Sequence, residues 1–313
     1  MRGRNMKRLC GLAFVVMAIA MPGCRSTNAI PASPLLHAKQ IVAASLSDSF
    51  TTFSGSAQGN VTPATYDTSG TLLAPYGVSF DPSGNIWIGN CSGPNVLEFA
   101  NGATGTTGPT NTITSASFVC PSDVFVAKSG KIYVTDYNAE AVDVFSAGAT
   151  GLSTPIAQIT GNVTGLAGPE GIAVDSSGNM WVVNYNNGLE EFAAGANGNV
   201  APSVAINANI AVPAGVNLDS HGNIWVANHG GNNIVEFPAN ATNASTPIAT
   251  ITSSAISNPN AVAVDGAGYI YETGSGANSI NVFAPGSGTN ATPIRSISGA
   301  STDLNDNWGL AIR

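Results

Sequence analysis

One short pattern recurs six times along this chain: a phenylalanine is followed ten residues later by a proline. Successive phenylalanines are 45 to 47 residues apart. The six pairs are Phe53/Pro63, Phe99/Pro109, Phe145/Pro155, Phe192/Pro202, Phe237/Pro247 and Phe283/Pro293. A fixed interval of this length indicates one supersecondary unit that is repeated, with each unit burying its apolar surface against its neighbours. The pattern therefore predicts an array of six similar units.

The N-terminal segment does not share this pattern. A positively charged start (MRGRNMKR) precedes an apolar run over residues 9–21, which is short for a membrane span. The run ends in Gly23-Cys24, which resembles the lipobox of bacterial lipoproteins, whose cysteine carries the lipid. We therefore predict a signal peptide over 1–23, lipid attachment at Cys24, a tether over 24–39 and a domain that contains the repeats over 40–313. The implied location is a bacterial membrane surface that faces the periplasm or the exterior; ordinary secretion is the alternative.

The charge balance excludes one class of partner. Removal of residues 1–23 leaves six basic against 18 acidic residues, a net charge of −12. Binding to nucleic acid requires clustered Lys and Arg that neutralise phosphates. We therefore expect no nucleic-acid partner, and we expect a monomer.

Two cysteines, Cys91 and Cys120, remain after the leader and the lipid site are set aside. In an oxidising envelope compartment such an isolated pair predicts a disulfide. Both cysteines fall beside the same predicted face of the repeat array, so the bond is expected to stiffen that face.

Each repeat reads as four short strands. The repeat that ends at Phe192 opens with the strand Gly171–Asp175, turns at Ser177-Gly178-Asn179 and continues with Met180–Asn184. The second strands are apolar on both faces (IWI, IYV, MWV and IWV), which predicts sheets that pack face to face around an axis. The Asp of the first turn is assigned to turn chemistry, because Asp hydrogen-bonds its own turn backbone.

The two ends of the chain complement each other. The segment 307–313 (NWGLAIR) matches the first strand of a repeat, and residues 41–53 align without gaps on residues 180–192. The C-terminal strand is therefore predicted to join the N-terminal blade and to remove the exposed sheet edges of the ring. The fold class is all-β: a six-bladed β-propeller with four-stranded blades, closed by the C-terminal strand.

The recurring run at residues 75–90, 169–184 and 213–228 resembles the NHL repeat. It is also distantly similar to the repeats of streptogramin lyases and of gluconolactonase-like propellers. The resemblance covers residues 40–313 and implies a propeller; such blades serve binding, sensing, lyase and lactonase roles, so it does not choose among them.

Acidic departures from the repeat suggest one candidate site. The residues are Asp123, Asp136, Glu170 and Asn184, which are expected on the face formed by the loops and crossovers around the central channel. Oxygen ligands of this kind suit Ca²⁺, and the resemblance to lactonase-type propellers implies a metal at this mouth. The alternative is a solvated acidic rim.

Aromatic residues suggest a second feature of the same face. Tyr76 and Trp308 fall in neighbouring blades, where paired rings stack on sugars or grip an apolar side chain, or else plug the channel end. His229 is expected in a surface loop, with a lone acid or base role as the alternative. The predicted ligand-binding residues are Tyr76, Asp123, Asp136, Tyr137, Glu170, Asn184, Asn228, His229 and Trp308.

These observations favour a non-catalytic, envelope-anchored propeller that binds a protein, peptide or glycan partner at its loop face. The alternative is a divalent-metal-dependent lactonase, hydrolase or lyase with its site at the channel mouth; a purely structural envelope module is a third possibility. No catalytic residue is assigned, and no cofactor beyond the Ca²⁺ hypothesis. Glu272 stands where the other repeats carry an apolar residue, and the sequence offers no reason for it.

Overall fold

A computed structural model of the chain describes residues 38–186 and 188–313. The predicted signal peptide, Cys24 and almost all of the predicted tether lie outside these residues. Within them, the chain forms six antiparallel sheets, and the only helix is a single 3-10 turn, His229–Gly231. The all-β, six-bladed prediction is confirmed.

The strands are assigned to blades in chain order. Blade 1 contains β1 (Gln40–Ser45), β2 (Ser49–Ser54), β3 (Thr65–Asp67) and, from the far end of the chain, β25 (Asn307–Ile312). Blade 2 contains β4 (Pro75–Phe80), β5 (Ile86–Asn90), β6 (Asn95–Phe99) and β7 (Asn111–Thr114). Blade 3 contains β8 (Pro121–Val126), β9 (Ile132–Asp136), β10 (Ala141–Phe145) and β12 (Ala157–Thr160); the two-residue β11 (Gly151–Leu152) pairs with β7 instead.

The remaining blades follow the same plan. Blade 4 contains β13 (Pro169–Val174), β14 (Met180–Asn184), β15 (Gly188–Phe192) and β16 (Val204–Ile206). Blade 5 contains β17 (Pro213–Leu218), β18 (Ile224–Asn228), β19 (Asn233–Phe237) and β20 (Ala249–Ile251). Blade 6 contains β21 (Pro259–Val264), β22 (Ile270–Gly274), β23 (Ser279–Phe283) and β24 (Arg295–Ser298).

The ring closes through blade 1. Strand β25 pairs antiparallel with β1, with Ile41 opposite Ile312 and Ala43 opposite Leu310. The inner strands contact one another in the cyclic order β4, β8, β13, β17, β21, β25 and back to β4. The predicted closure is therefore confirmed, and the innermost position of every blade is occupied.

The apolar core lies between successive blades. Trp181 of blade 4, for example, packs in one cluster with Val226 and Phe237 of blade 5. The predicted turn role of the first-turn aspartates is also confirmed: Asp219 Oδ1 accepts the backbone amides of the turn, and its Oδ2 accepts the indole N–H of Trp225 at 3.2 Å. One carboxylate thus fixes both the turn and the large aromatic side chain that fills the space between blades.

The loop before each signature proline reaches back to the outermost strand of the preceding blade, a feature that the repeat pattern did not predict. These links join Gly59 to Ile297, Gly105 to Asp67, Gly198 to Ile159 and β11 to β7 by backbone pairing, and Asn243 to Ala205 and Asn290 to Thr252 by side-chain hydrogen bonds. Every neighbouring pair of blades is therefore linked at the rim as well as at the centre.

Candidate functional site at the channel mouth

A cavity of about 260 Å³ lies on the axis of the ring and is lined by all six inner strands. The second residue of each inner strand lies at one end of it. These six residues are Tyr76, Ser122, Glu170, Ala214, Asn260 and Trp308. This end of the cavity, together with the loops that follow the second strands, is termed the mouth. The sequence analysis expected Tyr76, Glu170 and Trp308 on this face, and the structure brings them together with Ser122, Ala214 and Asn260.

Glu170 is the most unusual side chain at the mouth. It is 6% exposed, and its Oε2 atom makes no hydrogen bond. Burial raises the pKa of this carboxyl to about 8, and the nearby charge of Asp123 adds to the shift. A buried carboxyl oxygen without a donor is costly in a folded protein, which makes this atom a candidate contact for a ligand.

The backbone around Glu170 is held by blade 3. Thr135 Oγ1 donates to the Glu170 carbonyl at 2.6 Å, and Ser122 Oγ donates to the Pro169 carbonyl at 2.8 Å. Both hydroxyls are buried. The start of β13 is therefore positioned by the neighbouring blade as well as by its own sheet.

Asp123 stands at a position that four other blades fill with glycine: Gly77, Gly171, Gly215 and Gly309. Its Oδ1 accepts the amide of Val124 at 2.8 Å, and its Oδ2 accepts the amide of Ile172, in blade 4, at 3.0 Å. Burial raises the pKa of Asp123 to about 7, although these two amide bonds oppose the shift. Asp123 therefore joins two blades and also places a second carboxyl beside Glu170.

Three rings form a row on the other side of the mouth. The Trp308 ring centre lies 5.0 Å from that of Tyr76 and 6.1 Å from that of His229, whose plane is inclined by 23°. Tyr76, Trp308 and His229 are all half-buried. Tyr76 and Trp308 line the cavity, and His229 stacks on Trp308, so the row offers an aromatic surface for a flat or apolar ligand group.

The hydrogen bonds of His229 define its tautomer. Asn260 Nδ2 donates to the Asn307 carbonyl, so Asn260 Oδ1 is the atom that faces His229 Nδ1 at 2.8 Å and must accept its proton. His229 Nε2 then accepts from Asn258 Nδ2 at 3.1 Å. Both ring nitrogens are occupied, which favours a positioned aromatic ring over the acid or base alternative.

Two further tyrosines flank Glu170 from the loops of blades 3 and 4. Tyr137 and Tyr185 meet edge to face, with ring centres 6.1 Å apart. Burial raises the pKa of Tyr137, and the charge of Glu170 adds to this shift; the same two causes act on Tyr76. The carboxyl of Glu170 is therefore close to phenol rings from more than one blade.

The predicted disulfide is present. Cys91, after β5, is bonded to Cys120, before β8, so the bond joins blades 2 and 3 at the mouth. The amide of Cys91 donates to the Ala74 carbonyl, and the Cys120 carbonyl accepts from the amide of Tyr137. The bond thus adjoins segments that carry mouth tyrosines.

Three predicted ligand residues serve the loops instead. The carboxylate of Asp136 is fully buried and accepts three backbone amides, from Val119, Cys120 and Ala139. The equivalent Asn184 and Asn228 accept one crossover amide each, from Ala167 and Ala211.

The four residues of the metal hypothesis are therefore not assembled as one cluster: Asp123 and Glu170 are neighbours, whereas Asp136 and Asn184 are bonded within their own blades. Over 38–186 and 188–313, no three His, Cys, Asp or Glu side chains are grouped to hold a metal ion.

The predicted ligand-binding residues omit two residues that complete the mouth. Tyr185 and Asn260 occupy the same repeat positions as Tyr137 and Glu170, so an alignment of the repeats is the signal that finds them. Asn258, which holds the outer nitrogen of His229, has a positive φ of 49°. The repeat pattern does not predict the contact between Asn258 and His229.

Comparisons with known proteins show the fold. A structure of a nidogen/laminin complex shares 15% identity, with a TM-score of 0.63, over 87% of this chain and 97% of that chain. A protein of unknown function from Bacteroides caccae shares 9% identity, with a TM-score of 0.65, over 88% and 98%. A putative 6-phosphogluconolactonase from Bacteroides uniformis shares 14%, with a TM-score of 0.55, over 85% and 84%.

The chain is thus similar in fold to propellers of both binding and enzymatic kinds, as the sequence resemblance implied. No protein-family model and no curated protein matches the chain. In the part of the chain that the structure describes, no helix has the length and apolarity to cross a membrane.

Proposed function

We propose that this protein is a binding propeller of the bacterial cell envelope, held by a lipid on Cys24, and that it takes a group of a protein, peptide or glycan partner into the mouth without catalysis. The leader and its Gly23-Cys24 ending support the location. The Cys91–Cys120 bond supports a compartment outside the cytoplasm, because disulfides persist in oxidising environments.

The observation that carries the proposal is the row formed by Tyr76, Trp308 and His229 over an open cavity. Rings that are held in place lose little conformational entropy on binding, so they suit recognition. The ring of His229 is oriented by Asn258 and Asn260, which contact its two nitrogens. The site is therefore pre-organised for contact.

Intrinsic fluorescence provides the test. Of the four tryptophans, Trp87, Trp181 and Trp225 are buried in the blades, whereas Trp308 is half-buried at the mouth. Peptide and glycan libraries are titrated against the protein, and a mouth ligand is expected to change the emission of wild type but not of Trp308→Phe.

Tyr76→Ala should weaken binding at least tenfold, and Tyr66→Ala, an exposed tyrosine on β3, is the matched control. Ligands that bind equally to all variants would place the binding surface elsewhere.

One observation favours the enzymatic alternative. Glu170 and Asp123 are neighbouring carboxyls with pKa values raised to about 8 and about 7, and such pairs are common in catalytic sites. Lactone and ester substrates should be assayed with and without added Ca²⁺ or Mn²⁺, in wild type and in Glu170→Gln. Turnover that the substitution abolishes would establish the hydrolase and replace the binding proposal.

A further inference from the structure

The chemistry of the mouth indicates which group a partner presents. Glu170 Oε2 is buried and faces no donor from the described residues. This free acceptor belongs to a side chain that lines the cavity. An N–H donor that enters from outside would therefore complete a hydrogen bond that the protein leaves unmade.

The charges around the cavity have one sign. Its lining includes Asp123 and Glu170 but no lysine or arginine. The described basic side chains that are placed by contacts lie elsewhere: Arg295 donates to the Ala57 carbonyl, and Arg313 lies over Phe80, near the opposite end of the channel. The mouth therefore attracts cations and repels anions.

Other titratable groups also face Glu170. Asp123 is its carboxyl neighbour in blade 3, and Tyr76 and Tyr137 are the nearby phenols; Tyr185 packs on Tyr137, and Asp306 lies close to Tyr76. No positive group is among them. Repulsion between the two carboxyls and their burial favour a proton on Glu170 in the free protein, and a bound cation reverses both effects.

Aromatic rings supply the second part of a cation site. The faces of tyrosine and tryptophan attract an ammonium group, and the attraction strengthens where water is excluded. Tyr76 and Trp308 are in contact with each other, and Tyr76 and Tyr137 both lie close enough to Glu170 to feel its charge. Carboxyl and rings together thus surround the same space.

We propose that the mouth binds a primary alkylammonium group, namely a lysine side chain of a peptide or protein partner, with its nitrogen at Glu170 Oε2 and its methylene stem against Tyr76 and Trp308. This inference rests on the proposed binding function. Both oxygens of Asp123 already accept amides, so the Glu170 carboxyl is the acceptor that remains for the compact ammonium group of lysine.

The test uses three matched acetylated and amidated tripeptides, Gly-X-Gly, in which X is lysine, its uncharged isostere norleucine, or glutamate. Binding to the protein is measured by calorimetry and by Trp308 emission. The lysine peptide is expected to bind at least roughly tenfold more tightly than the norleucine peptide, as a charge-assisted hydrogen bond and cation–π contact require. The glutamate peptide should not bind.

Glu170→Gln keeps the shape of the side chain and should abolish the preference for lysine, whereas Glu191→Gln, on the third strand of blade 4, should leave it intact. Proton release, measured in buffers of different ionisation enthalpy, should accompany lysine binding to wild type and vanish in Glu170→Gln. A merely structural role for Glu170 would not produce this signal.

The outcomes separate the two proposals. Equal binding of the lysine and norleucine peptides, or a preference that survives Glu170→Gln, would overturn the ammonium inference and leave a binding mouth. Failure of the lysine peptide to bind would also overturn it. The binding function itself is refuted only if the libraries also yield no ligand whose binding depends on Trp308 and Tyr76.

Discussion

Glu272 occupies the middle of β22, where the equivalent residues of other blades are Ile88, Val134, Val182 and Val226. Glu272 is fully buried. It belongs to the same strand as Ile270, which packs in the apolar cluster between blades 5 and 6. Its Oε2 accepts from Asn281 Nδ2 at 3.0 Å, and its Oε1 makes no hydrogen bond. Burial raises the pKa of this carboxyl from 4.5 to about 8.

The sign of the resulting pH effect follows from linkage. A raised pKa means that the folded state holds the proton more tightly than the unfolded state does. The stabilisation that the proton on Glu272 contributes is therefore present in full below pH 4.5 and is lost as the pH rises towards 8. At 1.36 kcal/mol per pKa unit, this interval corresponds to at most about 5 kcal/mol, and relaxation around the charged carboxylate lowers the expected loss to about 2–4 kcal/mol.

Glu272→Gln removes the titration and keeps the shape. At pH 5 we expect the variant to lie within about 1 kcal/mol of wild type, and at pH 9 to be more stable by about 2–4 kcal/mol. The Asn281 amide retains acceptors in either case, because it also donates to the Ala255 carbonyl and Ser279 Oγ. The measurement is the free energy of unfolding in urea at pH 5, 7 and 9, and Glu191→Gln is the control.

Other buried carboxyls titrate in the same range. Asp143 and Glu190 have pKa values raised to about 6 and about 7, mainly by burial. They remain in both proteins, so the difference between wild type and Glu272→Gln isolates Glu272. Parallel pH profiles for the two proteins, or a variant that is less stable at pH 9, would refute the reasoning.

Three further predictions concern the ring itself. Replacing Cys91 and Cys120 by serine should lower the free energy of unfolding by about 3–4 kcal/mol for this loop, measured in urea against the oxidised protein; no loss would mean that the bond adds nothing to stability. Gly309→Ala should cost at least about 2 kcal/mol, since a Cβ there overlaps the backbone of the next inner strand, whereas Gly288→Ala, with open space around it, should be neutral. Asp136→Ala should cost about 2–4 kcal/mol because it leaves three backbone amides without their acceptor, and Asp136→Asn should be milder because other blades use asparagine there; equal losses would contradict this account.

The repeat pattern was sufficient for the architecture because it is redundant. Six phenylalanines at a constant interval fix the length of a blade, and the match between the two chain ends fixes the closure, so β25 was predicted. The disulfide was predicted separately, because only Cys91 and Cys120 remain once the leader and the lipid site are set aside. Position along a repeat also predicted that Tyr76, Glu170 and Trp308 reach the mouth. This inference needs only the strand order, which the turns and apolar runs determine.

The chemistry of single side chains was harder to predict. Asp136 looked like a departure from the asparagine consensus, yet it accepts the same crossover amides that Asn184 and Asn228 accept. Carboxylate and amide oxygens are interchangeable for that purpose, so the sequence could not distinguish a cation ligand from a loop acceptor. The contacts of His229 depend on the side chain of Asn258: its left-handed backbone recurs at the same repeat position in Ala74, Gly168, Val212 and Asp306, but its amide does not.

Blade 3 fixes the first residues of β13 by hydrogen bonds, and these bonds couple ligand binding at Glu170 to the interface between the two blades. Ser122 and Thr135 donate to the carbonyls of Pro169 and Glu170, on either side of the Glu170 Cα, so the position of Glu170 depends on how blades 3 and 4 are aligned. A ligand that binds Glu170 therefore stabilises the interface between blades 3 and 4 as well as the mouth itself. A ligand bound at the mouth should therefore slow the separation of blades 3 and 4 more than that of blades on the far side of the ring.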